Sequence, residues 1–154
     1  MTEPLVQVRR AVVEDAPVLV RFNLAMALET EGKRLAPEVV EAGVQGLFDQ
    51  PARGFYLVAE HAERVVGALM VTREWSDWRN ADFWWIQSVY VLAAHRRRGV
   101  YRRLHEVVEK AAISKAGVCG LRLYVERENA PAQRTYEALG MRETRYRFYE
   151  TTIE

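Results

Sequence analysis

Residues 86–104 constrain the fold of this chain more than any other part of its sequence. The segment begins with mostly apolar residues up to Leu92, continues through a cluster of arginines ending at Gly99, and closes with an amphipathic pattern up to Leu104. This order predicts a buried strand, a short loop that turns at the glycine, and a helix. The first turn of a helix carries backbone N–H groups without partners and the positive end of the helix dipole. The loop is therefore a candidate phosphate site.

The composition of the chain is that of an ordinary globular protein. Its 154 residues are 49% hydrophobic and 28% charged, and this length predicts one domain over residues 1–154. The formal net charge of +1 gives no global field, so we expect no nucleic acid and no membrane as partner. No apolar run approaches the roughly 18 residues of a membrane span. The single cysteine, Cys119, excludes an intrachain disulfide, and we expect a cytoplasmic protein without a signal peptide.

Hydrophobic periodicity predicts helices and strands that alternate along the chain. The predicted strands are residues 6–10, 55–60, 64–72, 83–91 and 121–125, with one or two more within 141–151. The predicted helices are one that Asp15 caps and that ends near Gly32, followed by residues 36–49, 99–116 and 130–139. This order describes an α/β domain with a mixed sheet.

A second motif surrounds the last predicted helix. Asn129 stands at its start, where an asparagine side chain can cap the first turn, and Pro131 follows in the turn that tolerates proline. Tyr136 lies inside the helix, and Gly140 stands where a glycine commonly ends one. The sequence therefore marks both ends of this helix.

Together the two motifs resemble the GCN5-related N-acetyltransferase (GNAT) family. The family's cofactor loop has the form Gln/Arg-x-x-Gly-x-Gly/Ala, which falls here on residues 96–101. Its second element has the form Asn-x-x-Ala-x-x-x-Tyr-x-x-x-Gly-Phe, and the matching residues are Asn129, Ala132, Tyr136, Gly140 and Met141. Either motif alone is a weak signal, but both at the right separation are fairly specific. The resemblance is strongest over residues 85–141.

The resemblance implies a fold and an activity. The fold would be a single GNAT-like domain of the α/β (α+β) class. Its sheet would be mixed, mostly antiparallel and twisted, with six to seven strands, about four helices, and a splay between the fourth and fifth strands. The activity would be acetyl-CoA-dependent N-acetylation of a primary amine, for which we favour a small molecule that attacks the thioester directly. A homodimer is common among proteins resembling this one.

The resemblance also places coenzyme A on named residues. Gly99 would let the backbone approach the pyrophosphate closely, and the neighbouring amides would donate to it. Strand residues 89–91 would pair through their backbone with the amide arm of pantetheine. The implied cofactor-binding residues are Val89, Tyr90, Val91, Arg96, Arg97, Arg98, Gly99, Val100, Tyr101, Asn129 and Ala132. Two simpler alternatives remain: Gly99 only starts a helix, and the arginines form a solvated face.

Tyr136 is the candidate catalytic residue. A phenol beside the sulfur of acetyl-CoA can protonate the departing thiolate. Reference pKa values of about 10 for tyrosine and about 8.5 for a thiol make the phenol a modest acid, so its position matters more than its acidity. The alternative is a tyrosine that packs in the core.

The chain departs from the family pattern at three positions. Tyr101 stands where the loop has a second small residue, Ala93 stands in place of a common proline, and Gln87 stands where the polyamine-acetylating branch has a glutamate base. An amide takes no proton near neutral pH, so the role of that base is vacant.

Aromatic and acidic residues suggest where a cationic amine would bind. All four tryptophans fall within residues 75–85, close to two carboxylates, and aromatic faces with carboxylates suit a cation. Two further glutamates lie where the first helix ends, a region that overhangs the acceptor site in the family. The candidate substrate-binding residues are Glu29, Glu31, Trp75, Trp78 and Gln87. Core packing with a dimer surface, and a solvated helix end, are the alternatives.

Other functions have less support in the sequence. The three histidines and Cys119 lack metal-ligand spacing, so we expect no metal. Acetylation of a protein N-terminus or lysine, and a non-catalytic acyl-CoA sensor, remain alternatives. Nucleic-acid binding through the arginines is poorly supported, because the net charge is near zero and no aromatic residues form a stacking platform.

Overall fold

The computed structural model describes residues 5–154. In chain order its helices and strands are β1 (Gln7–Arg10), α1 (Ala16–Glu31), α2 (Pro37–Asp49), β2 (Gly54–His61), β3 (Arg64–Ser76), β4 (Ala81–Val91), α3 (Val100–Ser114), β5 (Val118–Arg122) and α4 (Ala130–Ala138). Two short 3-10 turns, Val13–Asp15 and Ala93–His95, precede α1 and follow β4. The described residues divide into two compact units, one ending at Leu123 and one spanning Tyr124–Glu154.

The first unit is built on a mixed five-stranded sheet. The strand order is β1-β2-β3-β4-β5, in which β1 to β4 pair antiparallel and β5 pairs parallel to β4. The β4–β5 pairing runs only from Asp82 opposite Val118 to Trp85 opposite Arg122. Beyond Trp85, β4 has strand partners in β3 alone within the described chain. The predicted fold class and the parting of the fourth and fifth strands are therefore confirmed.

The predicted strands in 141–151 are wrong, so the described residues contain five strands rather than six or seven. No regular secondary structure occurs between residue 141 and the end of the chain. Tyr146, Phe148 and Tyr149, three large apolar residues of this segment, are exposed. Alternation of apolar and polar residues marks a strand only where a neighbouring strand accepts its backbone hydrogen bonds, and no such pairing forms here.

The strand predicted at 121–125 begins earlier than expected. The amide of Asp82 donates to the carbonyl of Gly117 at 2.7 Å, which fixes where β5 starts against β4. The pairing then ends at Arg122. The apolar pattern continues beyond that point, but the pairing with β4 decides which residues form the strand.

Helices cover both faces of the sheet. On one face α3 presents Val100, Leu104, Val108 and Ala112, spaced four residues apart, to a core that includes Trp84 and Leu69. On the other face α1 and α2 pack against a second core built from Leu19, Phe22, Val44, Leu47, Tyr56, Val58, Ala68 and Tyr90. Helical spacing of apolar residues predicted both sets of helix residues, because a helix buries one stripe of its surface.

A bulge in β4 changes which face its side chains reach. Ser88 has a left-handed φ of 51°, and residues 88 and 89 stand opposite a single β3 residue. Before the bulge Ile86 packs on the α3 side, and after it Tyr90 packs on the α1 side while Val91 returns to the α3 side. One inserted residue reverses the alternation of a strand, so the bulge re-aims the second half of β4.

Asp15 precedes α1 but does not cap it as predicted. Its carboxylate accepts two hydrogen bonds from Arg9, at 2.7 and 2.9 Å, and one from the amide of Val12. The hydrogen bonds from Arg9 are the largest cause that holds the pKa of Asp15 below its usual value. The residue therefore ties β1 to the start of α1 instead of satisfying the amides of the helix.

Candidate active site

The loop before α3 presents open backbone donors. Gly99 occupies the N-terminal cap of α3 with a left-handed φ of 78°, and a Cβ built on it would meet no atom within 4 Å. The N–H groups of Arg98, Gly99 and Val100 donate to no acceptor within the described part of the chain. A positive φ explains the glycine, and the unused donors beside the positive end of a helix dipole suit an anion.

Tyr101 turns away from this glycine and along the helix. Its hydroxyl lies 3.1 Å from Nδ1 of His105, and the two rings make an edge contact with centroids 5.7 Å apart. His105 is buried, and this burial lowers its pKa although Glu109 and Glu106 act in the opposite direction. The bulky side chain in the family's small-residue position is thus held one turn further along α3. The spacing of four residues between Tyr101 and His105 was a signal that the sequence analysis did not use.

Arg96 points to α1, where it meets a predicted substrate residue. Its Nη2 lies 2.8 Å from Oε2 of Glu29, and its Nε donates to the carbonyl of Val91 at 2.9 Å. The Tyr90 hydroxyl donates to the other oxygen of Glu29 at 3.1 Å, and burial is the largest cause that raises the pKa of this phenol. The structure therefore joins two residues that the sequence assigned to different ligands.

The remaining charged candidates near this loop are exposed. Arg97 has a left-handed φ of 61°, and neither it nor Arg98 forms an ion pair with a described residue. Glu31, the last residue of α1, is likewise exposed and unpaired within residues 5–154. Glu31 therefore does not share the contacts that Glu29 makes with Arg96 and Tyr90.

The strand segment predicted to bind pantetheine has one edge outside the β5 pairing. Val91 and Tyr90 pair with Gly67 and Ala68 of β3, while the pairing with β5 has already ended at Trp85. An unpaired strand edge can accept an extended amide group. The geometry of Val89, Tyr90 and Val91 is therefore compatible with the backbone role that the resemblance implies.

Gln87 lies just before the β4 bulge and is half-buried. Its side-chain amide donates to the hydroxyl oxygen of Thr72 on β3. The carboxamide is therefore anchored, and it provides no carboxylate where the related glutamate would stand. Thr72 is a site neighbour that the sequence analysis missed, since only strand register brings residues 15 positions apart together.

The four tryptophans do not share one environment. Trp84 is buried in the α3-side core, whereas Trp75 and Trp78 are 63% and 88% exposed near the turn between β3 and β4. Nearby Glu74 pairs with Arg122 at 2.6 Å. Core packing is therefore confirmed for Trp84, whereas substrate binding by Trp75 and Trp78 stays a prediction.

The second unit contains the remaining predicted site residues. Asn129 accepts a hydrogen bond from the amide of Ala132 at 3.2 Å, which confirms the predicted helix cap of α4. Gln133 adds bonds from its side chain to the carbonyls of Glu126 and Arg127, both at 2.9 Å. Tyr136 lies two turns into α4, and burial raises the pKa of its phenol.

Two general searches of residues 5–154 complete the description. No group of three or more histidine, cysteine or acidic side chains in this range could hold a metal ion. None of its helices has the length and apolarity of a membrane span.

Comparison with known proteins places the chain in a family. Residues 23–141 match the family model described as "Acetyltransferase (GNAT) family". No curated protein matches the chain. The fold and the open helix terminus are those of the class that this model describes, and the match covers most of the chain. This chain belongs to the GNAT acetyltransferase family.

Solved structures show the same fold over nearly the whole chain. A possible acetyltransferase from Clostridium difficile 630 is 41% identical, with a TM-score of 0.90, and the match covers 97% of this chain and 99% of that one. Glucosamine-6-phosphate N-acetyltransferase from Arabidopsis thaliana is 16% identical, with a TM-score of 0.72, covering 96% and 98%. Ribosomal-protein-alanine N-acetyltransferase from Brucella melitensis biovar Abortus 2308 is 17% identical, with a TM-score of 0.76, covering 97% and 100%. The last two similarities indicate the fold alone.

Proposed function

We propose that this protein is a cytoplasmic, acetyl-CoA-dependent N-acetyltransferase that acetylates the primary amine of a small molecule. The observation that carries the proposal is the start of α3, where Arg98, Gly99 and Val100 have amides without acceptors in the described chain. These donors suit the pyrophosphate of coenzyme A, and the open space beside Gly99 suits its close approach. When bound, acetyl-CoA supplies the activated acetyl thioester.

The backbone of β4 would hold the rest of the cofactor. Its edge after Trp85 is outside the β5 pairing, so its N–H and C=O groups can pair with the amides of pantetheine. The bulge at Ser88 lies within this segment and changes the direction of its backbone groups. Holding the thioester in a fixed position for the attacking amine would lower the entropic part of the barrier, which is the main catalytic contribution we propose.

Two side chains define the proton chemistry that we propose. The Tyr136 phenol is protonated at neutral pH, and because burial raises its pKa and makes it a weaker acid, its donation of a proton to the leaving sulfur would depend on its position. Gln87, which donates its amide hydrogen to Thr72, has no basic atom for the attacking amine. We propose that the amine attacks in its neutral form, so that kcat/KM rises with pH up to the pKa of the amine.

Two glycines with matched geometry test the cofactor site. Gly99 and Gly32 both have left-handed φ angles, 78° and 64°, and a Cβ on either would meet no protein atom within 4 Å. Gly99→Ala and Gly32→Ala should therefore each cost about 1 kcal/mol of stability through backbone strain. Only Gly99→Ala should also weaken acetyl-CoA binding, by about tenfold in calorimetric titration, because the added methyl group occupies the space of the pyrophosphate. Equal affinities in the two folded variants would refute the assignment.

A thiol-release assay tests the acceptor class. Small primary amines should give turnover with acetyl-CoA, whereas peptides with a free N-terminus or an internal lysine should not. Turnover restricted to peptides would favour the protein N-acetyltransferase alternative. Acetyl-CoA binding without turnover on either panel would favour an acyl-CoA sensor.

A further inference from the structure

A cavity of about 440 Å³ opens between α1 and the end of the sheet where β2 turns into β3. Most of its lining is apolar or aromatic and comes from α1, β3, β4 and the residue after β4. These residues are Val18, Phe22, Ala25, Val65, Tyr90 and Leu92. The volume falls in the range of small-molecule sites, which are mostly apolar and carry a few polar groups.

Three charged side chains also line this cavity. Arg21 comes from α1, Glu63 from the turn between β2 and β3, and Arg64 from the first position of β3. All three are exposed, and none forms an ion pair with another residue in the described range. Their formal charges leave one net positive charge, available to an anionic ligand.

The two aromatic side chains that line the cavity are held by contacts with each other and with α1. The Tyr90 ring packs against Phe22 with centroids 5.0 Å apart and an interplanar angle of 41°. The Tyr90 hydroxyl is held by Glu29 at 3.1 Å. A wall whose side chains are already held loses little conformational entropy when a ligand binds. The cavity is therefore preformed.

We propose that this cavity binds a small monocarboxylate with an apolar, aromatic-sized body. The body would lie against Phe22 and Tyr90, and the carboxylate would pair with the guanidinium groups of Arg21 and Arg64, whose planar donors match carboxylate oxygens. Glu63 lowers the local charge to that of one cation, which matches a monoanion better than a dianion. The site is separate from the open amides of α3 and does not depend on acetyl transfer.

The test is an NMR titration of the full chain, without coenzyme A, with phenylacetate as the probe. Phenylacetate should shift the amide signals of α1 and the β2–β3 turn, with saturation below about 10 mM, a modest affinity for so small a molecule. 2-Phenylethanol, which keeps the ring and lacks the charge, should bind at least tenfold more weakly. Phenyl phosphate should not bind more tightly than phenylacetate.

Surface variants keep the test independent of folding. Arg21→Gln and Arg64→Gln should each weaken phenylacetate binding about tenfold, the loss expected for one charge-assisted hydrogen bond. Arg102→Gln removes an exposed arginine of α3 that does not line the cavity, and it should leave binding within twofold. Ala25→Leu should fill the cavity and abolish binding. Absence of shifts at about 10 mM probe, equal binding of 2-phenylethanol, tighter binding of phenyl phosphate, or equal effects of Arg64→Gln and Arg102→Gln would each overturn the proposal.

Discussion

The Arg96 guanidinium lies 2.8 Å from the Glu29 carboxylate, although 67 positions separate the two residues. Arg96 also donates to the carbonyl of Val91, and the Tyr90 hydroxyl donates to the same glutamate. The contacts tie the beginning of the arginine loop to the end of α1. We infer that Arg96 supports the loop by holding its first residue to α1 and β4.

A double-mutant cycle tests this supporting role. Glu29→Gln and Arg96→Gln should weaken acetyl-CoA binding by similar factors, about threefold each, and the double variant should be no weaker than either, because both changes break one contact. Stability should fall by less than about 1 kcal/mol, since the pair is exposed. A much larger effect of Arg96→Gln, additive with Glu29→Gln, would mean that Arg96 contacts the cofactor directly.

Asp15 should make the fold sensitive to acid. Because Arg9 lowers its pKa in the folded state, the stabilisation is fully present above the ordinary carboxyl pKa of about 3.9 and is lost at lower pH as Asp15 itself takes a proton. Asp15→Asn should lower the free energy of unfolding by about 1–3 kcal/mol at pH 7, and the difference should shrink towards pH 2. Denaturant unfolding measures both values. Glu14→Gln, at the exposed neighbouring acid, should change little at either pH.

His105 should make stability fall between pH 7 and pH 5. Burial lowers its pKa in the folded state, so below about pH 6.5 the unfolded chain binds a proton that the folded chain rejects. Glu109 and Glu106 oppose this effect from the same helix, and the Tyr101 hydroxyl contacts the ring. His105→Gln should therefore flatten the pH dependence of the free energy of unfolding over this range.

A half-buried histidine at the end of β2 is the control for that measurement. His61→Gln changes a side chain that is less buried than His105 and should leave the slope between pH 7 and pH 5 intact. If His105→Gln had the same slope as the wild type, the buried histidine would not be the group that titrates.

Tyr136→Phe should separate the two kinetic parameters. Removing a general acid lowers kcat by about a hundredfold, while KM for acetyl-CoA should stay within threefold because the ring remains. Tyr146→Phe changes an exposed tyrosine in the same unit and should leave both parameters unaltered. An unchanged kcat in Tyr136→Phe would remove the phenol from the proposed proton transfer.

Local patterns in the sequence predicted much of the fold. The four-residue spacing of Val100, Leu104 and Val108 predicted α3 and the face it buries, because helical periodicity is a property of neighbouring residues. Asn129 marked the start of α4 in the same way, since a cap acts on the next turn of the chain. The phosphate-site prediction at Gly99 also used only local order, and its positive φ fits that prediction.

Long-range contacts decided the features that local order left open. The bulge at Ser88 and the bond from Gln87 to Thr72 depend on the register between β3 and β4, which a single strand does not define. The missing terminal strands follow from the same dependence, because an alternating segment needs a partner strand. The helices and the Asn129 cap were thus determined by the local sequence, whereas the Asp15 carboxylate pairs with Arg9 of β1 instead of capping α1. The contact between Arg96 and Glu29 and the cavity beside Tyr90 likewise arose only when distant segments packed together.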